Sequence, residues 1–181
     1  QRMIAEALAG GRMAHSLCNK LIRRSVFNDY GLYFPAGMTV AEDAFVCHSL
    51  FIRGVRCAFC EGVYYYYDRF GNVSSLTRSK YRKSLDSISL CVDKLAKTPG
   101  DDVIRNLSLE TMKGIAKLKA FRSLPAKEFV AMYREINRKY ILCNILKMNR
   151  IEGYVALGLM IRDNKISLKL YNLLRSIFGK D

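Results

Sequence analysis

The second half of this chain carries apolar stripes at helical spacing, and this pattern limits the fold more than any other feature. After residue 79, apolar residues recur three and four positions apart, and proline or glycine separates the runs. The first stripe comprises Leu85, Ile88, Val92 and Leu95. It stops at Pro99-Gly100. Another run begins near Pro125 and carries Phe129, Met132, Tyr133, Ile136 and Tyr140. Because such spacing gives each helix one apolar face, residues 79–181 are predicted to form a mainly α-helical bundle.

The first half has a different pattern, which predicts a mixed α/β part over residues 1–78. Thr39-Val40-Ala41-Glu42 has the form of a capping box, so a helix is predicted to begin at Thr39. The stretch from Arg56 to Tyr67 is rich in aromatic and β-branched residues, which is typical of a strand. The expected fold class is therefore α+β, with a partial α/β half of few strands and short helices before the helical tail.

The charge of the chain is strongly positive and unevenly placed. Of the net +14, residues 1–78 contribute nine Lys and Arg against six Asp and Glu, so the surplus belongs to the tail. Such a field favours nucleic acid, anionic lipid headgroups or phosphorylated substrates, although solvated helix faces explain the same charge.

The last predicted helix sets Ile166, Leu170, Leu173, Leu174 and Ile177 against Lys165, Lys169 and Arg175. This stripe suits an anionic membrane surface or the inside of a bundle. A homo-oligomer through the tail is a further expectation.

Cysteine and histidine residues do not predict a metal site. The six cysteines are dispersed, and the one close pair, Cys57 and Cys60, would point to opposite faces of the predicted strand. Both are predicted to be ordinary buried thiols. His15 and His48 have no carboxylate or cysteine at ligand spacing. Reduced thiols and the lack of a signal-peptide pattern predict a cytoplasmic location.

Four short motifs follow one another between residues 15 and 78. They are Cys18 to Arg24 (CNKLIRR), Gly31 to Met38 (GLYFPAGM), Ala41 to Phe45 (AEDAF) and Tyr64 to Thr77 (YYYYDRFGNVSSLT). In this order and at this spacing they resemble segments of the family 2 glycosyltransferases. The family has Arg where Asp68 stands here, so a basic role at that place has moved to Arg69 or is lost.

The resemblance implies a GT-A fold and transfer of a sugar from a nucleotide donor to an acceptor hydroxyl with inversion. It assigns the general base to Asp43 and a second catalytic position to Glu42, whose alternative role is to close the helix start. Lys20, Arg69, Ser74 and Thr77 are the expected substrate-binding residues. For Lys20 and Arg69 the alternative is an ordinary solvated side chain.

The family also has a metal-binding motif that this sequence lacks. Its D-x-D motif, which holds Mg²⁺ or Mn²⁺ on the donor diphosphate, does not occur here. The cation is therefore expected in the full-length enzyme and not within this chain. Because Gln1 falls within a predicted helix, we expect the chain to be part of a longer protein and not to turn over alone.

The expected partners are a nucleotide-sugar donor, a glycan or lipid-linked acceptor, and an anionic membrane surface to which the cytoplasmic protein is peripheral. The longest uninterrupted apolar run, Tyr154 to Ile161, is far short of the roughly 20 residues that a spanning helix needs. The alternative function is a basic helical nucleic-acid-binding module or a protein or membrane interaction module, with the Glu42-Asp43 pair as a helix cap only. No nucleic-acid-binding motif supports the first of these, so nucleic acid is not an expected partner.

Overall fold

A computed structural model describes residues 15–58, 60–62, 65–66, 81–136 and 165–178. Within these ranges the chain forms six α-helices and one short 3₁₀ turn. The helices are α1 (Arg24–Asp29), α2 (Glu42–Ile52), α3 (Tyr81–Ala96), α4 (Asp102–Ser123), α5 (Ala126–Ala131) and α6 (Lys165–Phe178), and the 3₁₀ turn is Arg134–Ile136. No strand occurs in this described part of the chain.

The α+β expectation, with its partial GT-A half, is therefore wrong. The described residues of the predicted strand (56–58, 60–62 and 65–66) form no strand, and Tyr66 is 91% exposed. Cys57 and Cys60 are exposed as well, so their predicted burial is also wrong. High β-propensity expresses how well a side chain packs on a paired sheet, and the described ranges contain no second strand for this segment to pair with.

The chain divides into two compact units. Unit 1 comprises residues 1–79 and 86–112, and unit 2 comprises residues 80–85 and 113–181. The predicted boundary near residue 78 lies outside the described residues and stays a prediction, as does the predicted helix that contains Gln1.

Unit 1 is organised around α2, which is buried along nearly its whole length. Every residue from Ala44 to Ile52 is buried, as expected for a helix that is apolar on all sides. Helix α3 contributes Ile88, Cys91, Val92 and Leu95 to the buried apolar residues of this unit, and α4 contributes Ile104 and Met112. The apolar stripe predicted for α3 is thus confirmed.

The turn between α3 and α4 packs against the end of α2. The Asp101 N–H donates to the Ile52 carbonyl at 2.8 Å. Gly100 has a φ of 142°, and a Cβ there would collide with the same carbonyl, so this position requires glycine. Asp101 also caps α4, because its Oδ1 accepts from the amides of Val103 (2.8 Å) and Ile104 (3.0 Å). The predicted stop at Pro99-Gly100 is confirmed.

Unit 2 is held by a buried lysine and two aromatic rings. Lys117 is 0% exposed, and its Nζ donates to the Phe129 carbonyl at 2.9 Å. The Phe129 and Tyr171 rings stack with centroids 5.8 Å apart. The Tyr171 hydroxyl donates to the Leu124 carbonyl at 2.6 Å, so α6 is tied to the segment between α4 and α5. Helix α5 begins after Pro125, as predicted.

The predicted continuation of α5 through Tyr133 and Ile136 is wrong. The helix ends at Ala131, the backbone of Met132 is extended, and Tyr133 takes a φ of 48°. No glycine or proline marks this break in the sequence, so helical spacing alone favours a longer helix.

Candidate functional site

The start of α2 carries the two predicted catalytic carboxylates. The helix begins at Glu42, so Glu42 and Asp43 occupy its first turn. Ala41 is the N-cap residue, with a left-handed φ of 71° and no side-chain cap hydrogen bond. The predicted capping box, with its helix start at Thr39, is therefore wrong.

A serine from α3 explains why α2 begins at Glu42 and not at Thr39. The buried Ser87 Oγ accepts from the amides of both Thr39 and Val40, each at 3.1 Å. It donates in turn to the Val40 carbonyl at 2.6 Å. Because Ser87 fixes this turn in a non-helical conformation, the first helical hydrogen bond runs from Phe45 N–H to the Ala41 carbonyl.

Asp43 is joined to Leu17, the residue directly before the Cys18–Arg24 motif. The half-buried Asp43 accepts a hydrogen bond at Oδ2 from the backbone amide of Leu17, at 3.1 Å. A carboxylate in the first helical turn also lies near the positive end of the helix dipole. The hydrogen bond orients the carboxylate and brings the segment around Leu17 to the start of α2.

Lys20 belongs to the same segment and lies near the same turn of α2. Its Nζ donates to the Asn19 Oδ1 at 3.0 Å and to the Ser16 carbonyl. Burial raises the pKa of the Cys47 thiol to about 11, while the positive charge of Lys20 opposes this rise and the negative charge of Asp43 adds to it. Both charges therefore act on one thiol, one turn into α2.

A histidine pair forms a second contact between the 15–20 segment and α2. His15 Nδ1 and His48 Nε2 lie 3.0 Å apart, so one nitrogen donates to the other, and the rings stack with centroids 5.1 Å apart. His48 is 0% exposed, and burial, followed by the charge of His15, lowers its pKa to about 3. Burial, followed by the charge of Lys20, lowers the pKa of His15 as well. Both imidazoles are therefore neutral at pH 7.

One nitrogen of this pair is left over. His48 Nδ1 is buried and has no hydrogen-bond partner among the described residues. The edge of the Phe51 ring lies against this imidazole, with centroids 6.1 Å apart. The pair therefore joins the 15–20 segment to the core of unit 1 without carrying charge at pH 7.

Sequence analysis missed the histidine pair. His15 and His48 are 33 residues apart and match no ligand-spacing pattern. A usable signal was present: His48 stands in the apolar run from Ala44 to Ile52, and a buried imidazole needs a polar partner.

The structure places only part of the predicted site. It places Glu42 and Asp43 in the first turn of α2 and joins Asp43 to Leu17, three residues before Lys20. Arg69, Ser74 and Thr77 lie outside the described residues. Within the described ranges, no group of three His, Cys, Asp or Glu side chains is placed to hold a metal ion, so the expected divalent cation is assigned to none of them.

In comparisons with protein-family models, curated proteins and solved structures, no match to this chain was found. In the described part of the chain, no helix is both long enough and apolar enough to cross a bilayer.

Proposed function

We propose that this chain is the acceptor-side part of an inverting glycosyltransferase, with Asp43 as the general base. The observation that carries the proposal is the hydrogen bond from the Leu17 amide to the Asp43 carboxylate. It joins the segment containing the Cys18–Arg24 motif to the Glu42-Asp43 motif, and these are two of the four motifs whose order and spacing resemble family 2 glycosyltransferases. Their meeting in space is expected if both serve one site.

In the proposed reaction, Asp43 takes the proton of an acceptor hydroxyl. The hydroxyl oxygen forms a bond to the anomeric carbon of the donor sugar, while the bond from that carbon to the diphosphate breaks. The nucleoside diphosphate leaves with the electron pair, and the configuration at the anomeric carbon inverts. A positioned base of this kind typically contributes about a hundred- to ten-thousand-fold in rate.

The surroundings of Asp43 suit a general base. The carboxylate is half-buried, so an acceptor can reach it, and the Leu17 amide holds its orientation. Lys20 lies close enough for its charge to act on Cys47, and the proposal gives it the role of contacting an anionic or hydroxyl-rich substrate. Glu42, in the same turn, would contact the acceptor. The proposal includes no GT-A half, which the fold contradicts.

The test is acceptor-dependent release of nucleoside diphosphate from a panel of nucleotide sugars, with Mg²⁺ or Mn²⁺ present. The protein is assayed as its gene encodes it. Release should depend on both donor and acceptor, and Asp43→Asn should lower the rate by about a hundredfold or more. Asp29→Asn, which changes an exposed aspartate at the end of α1, is the matched control and should retain the rate. If no donor is turned over, or if Asp43→Asn transfers sugar at the wild-type rate, the proposal is wrong.

A further inference from the structure

Helix α6 exposes an apolar stripe on the side of the helix that does not carry Tyr171. Tyr171 is 1% exposed and packs on Phe129, whereas Ile166 is 66%, Leu170 42% and Leu173 55% exposed. At 100° per residue the three exposed positions fall within a narrow arc, more than 90° away from Tyr171. The helix therefore has two apolar sides, of which one packs within unit 2 and the other contacts solvent.

The charged residues of α6 itself all have the same sign. Lys169 is exposed at its edge, and the helix from Lys165 to Phe178 contains three basic and no acidic residues. Asn172 and Ser176, also exposed, continue the polar border that Lys169 begins. An aliphatic stripe with a basic border is the pattern by which helices lie in the interface of anionic bilayers.

We propose that α6 docks on an anionic membrane surface through Ile166, Leu170 and Leu173, with Lys169 contacting the lipid headgroups. The charge argues against a second copy of this chain, because two α6 helices would bring like charges together in a protein of net charge +14. It also argues against nucleic acid, since phosphate contacts use basic side chains and give no role to exposed aliphatic ones. The proposal stands on unit 2 and does not depend on the proposed sugar transfer.

The chain contains no tryptophan, which allows a single-site fluorescent probe. We would place tryptophan at the stripe with Leu173→Trp and, as the matched control, at its border with Asn172→Trp. On adding phosphatidylglycerol-containing vesicles, the Leu173→Trp emission should shift to the blue and resist aqueous quenchers. The Asn172→Trp emission should change much less, because that side chain faces away from the acyl region. Equal behaviour of the two probes would contradict docking through the stripe.

Vesicle flotation measures the same contact without a probe. Leu170→Ser/Leu173→Ser should bind phosphatidylglycerol vesicles at least about tenfold more weakly than wild type, whereas Asn172→Ser should bind equally well. Lys169→Gln should bind phosphatidylglycerol vesicles several-fold more weakly than wild type, and wild type should bind vesicles of pure phosphatidylcholine poorly. Circular dichroism of each variant shows whether its helices are retained. A variant that has lost its helices is replaced by the Leu173→Trp comparison, which keeps an apolar side chain at the stripe.

Three results would overturn the proposal. The first is wild-type protein that does not float with anionic vesicles. The second is duplex DNA binding as tight as vesicle binding and unaffected by Leu170→Ser/Leu173→Ser, which would assign the basic charge to nucleic acid. The third is a dimer in sedimentation that this double variant abolishes while vesicle binding persists, which would assign the stripe to a second copy.

Discussion

Among the described residues, each unit has one completely buried basic side chain, and the two side chains differ in charge at neutral pH. His48 in unit 1 and Lys117 in unit 2 are both 0% exposed. Burial lowers the pKa of His48 to about 3, so its imidazole is neutral at pH 7. Burial lowers the pKa of Lys117 only to about 8, so its ammonium is still mostly charged there.

The difference begins with the ordinary pKa values, 10.5 for lysine and 6.5 for histidine, and the partners add to it. The Lys117 ammonium has a carbonyl oxygen at 2.9 Å and lies over the Phe129 ring, 4.9 Å from its centroid, and the charge of Glu135 raises its pKa. His48 faces another imidazole, whose positive charge would lower the His48 pKa further. Burial thus disfavours both charges; the charge of Glu135 opposes this at Lys117, whereas the charge of His15 acts in the same direction as burial at His48.

The largest effect is expected for His48 at acidic pH. Its folded pKa lies below the unfolded value of 6.5, so stability is complete above pH 6.5 and is lost as the pH falls towards 3. Between pH 7.5 and 4.5 the protein should lose about 3 kcal/mol of unfolding free energy through this group. Urea titrations followed by circular dichroism measure the loss.

The variant His48→Leu tests this assignment. This variant should lose much less unfolding free energy between pH 7.5 and 4.5 than wild type does, while Lys117→Met should lose as much as wild type. An acid loss of unchanged size in His48→Leu would show that other groups cause it.

Lys117 should change the stability of the protein at alkaline pH. Its folded pKa is also depressed, from 10.5 to about 8, so its contribution is complete above pH 10.5 and is lost as the pH falls through 8. The free-energy difference between wild type and Lys117→Met should therefore change by about 2 kcal/mol in favour of wild type from pH 7.5 to 9.5. Lys127→Met, at an exposed position on α5, should show no such change. A constant difference for Lys117→Met would mean that the buried amine has an ordinary pKa.

The smallest effect concerns the ion pair beside Lys117. Lys113 Nζ lies 2.6 Å from Glu135 Oε1, and the Glu135 side chain is 58% exposed. Glu135→Gln should cost no more than about 1 kcal/mol, because solvent screens such a pair. Because Glu135 raises the pKa of Lys117, its removal should lower that pKa. The rise in unfolding free energy that Lys117 causes with increasing pH should then begin at a lower pH. The same titrations detect the shift, and Glu128→Gln is the matched control.

The features that sequence predicted well depend on nearby residues. The apolar stripe of α3 and its end before Pro99-Gly100 follow from spacing within a few turns, and the structure has both. The described residues of the stretch from Arg56 to Tyr67 do not form the expected strand, because a strand needs pairing partners, which local composition does not supply. The start of α2 was misplaced because Ser87, 48 residues from Thr39, replaces the expected cap.

The candidate site also has features that the sequence predicted and contacts that it did not. Motif order singled out Asp43 and Lys20, and the structure joins Asp43 to Leu17, three residues before Lys20. The Leu17 amide and the His15–His48 contact span 26 and 33 residues, and no local pattern predicts which distant groups a fold brings together. Long-range packing decides these contacts, and composition and spacing do not describe it.

The catalytic role of Asp43 is tested by the rate of sugar transfer by Asp43→Asn, measured together with the free energy of unfolding of this variant. Asparagine retains an oxygen that can accept the Leu17 N–H but cannot act as a base. The account predicts a rate about a hundred- to ten-thousand-fold below wild type, a smaller loss for Glu42→Gln, and little change in stability for either variant. Wild-type transfer by Asp43→Asn would contradict the account, because Asp43 would then only hold the 15–20 segment against α2.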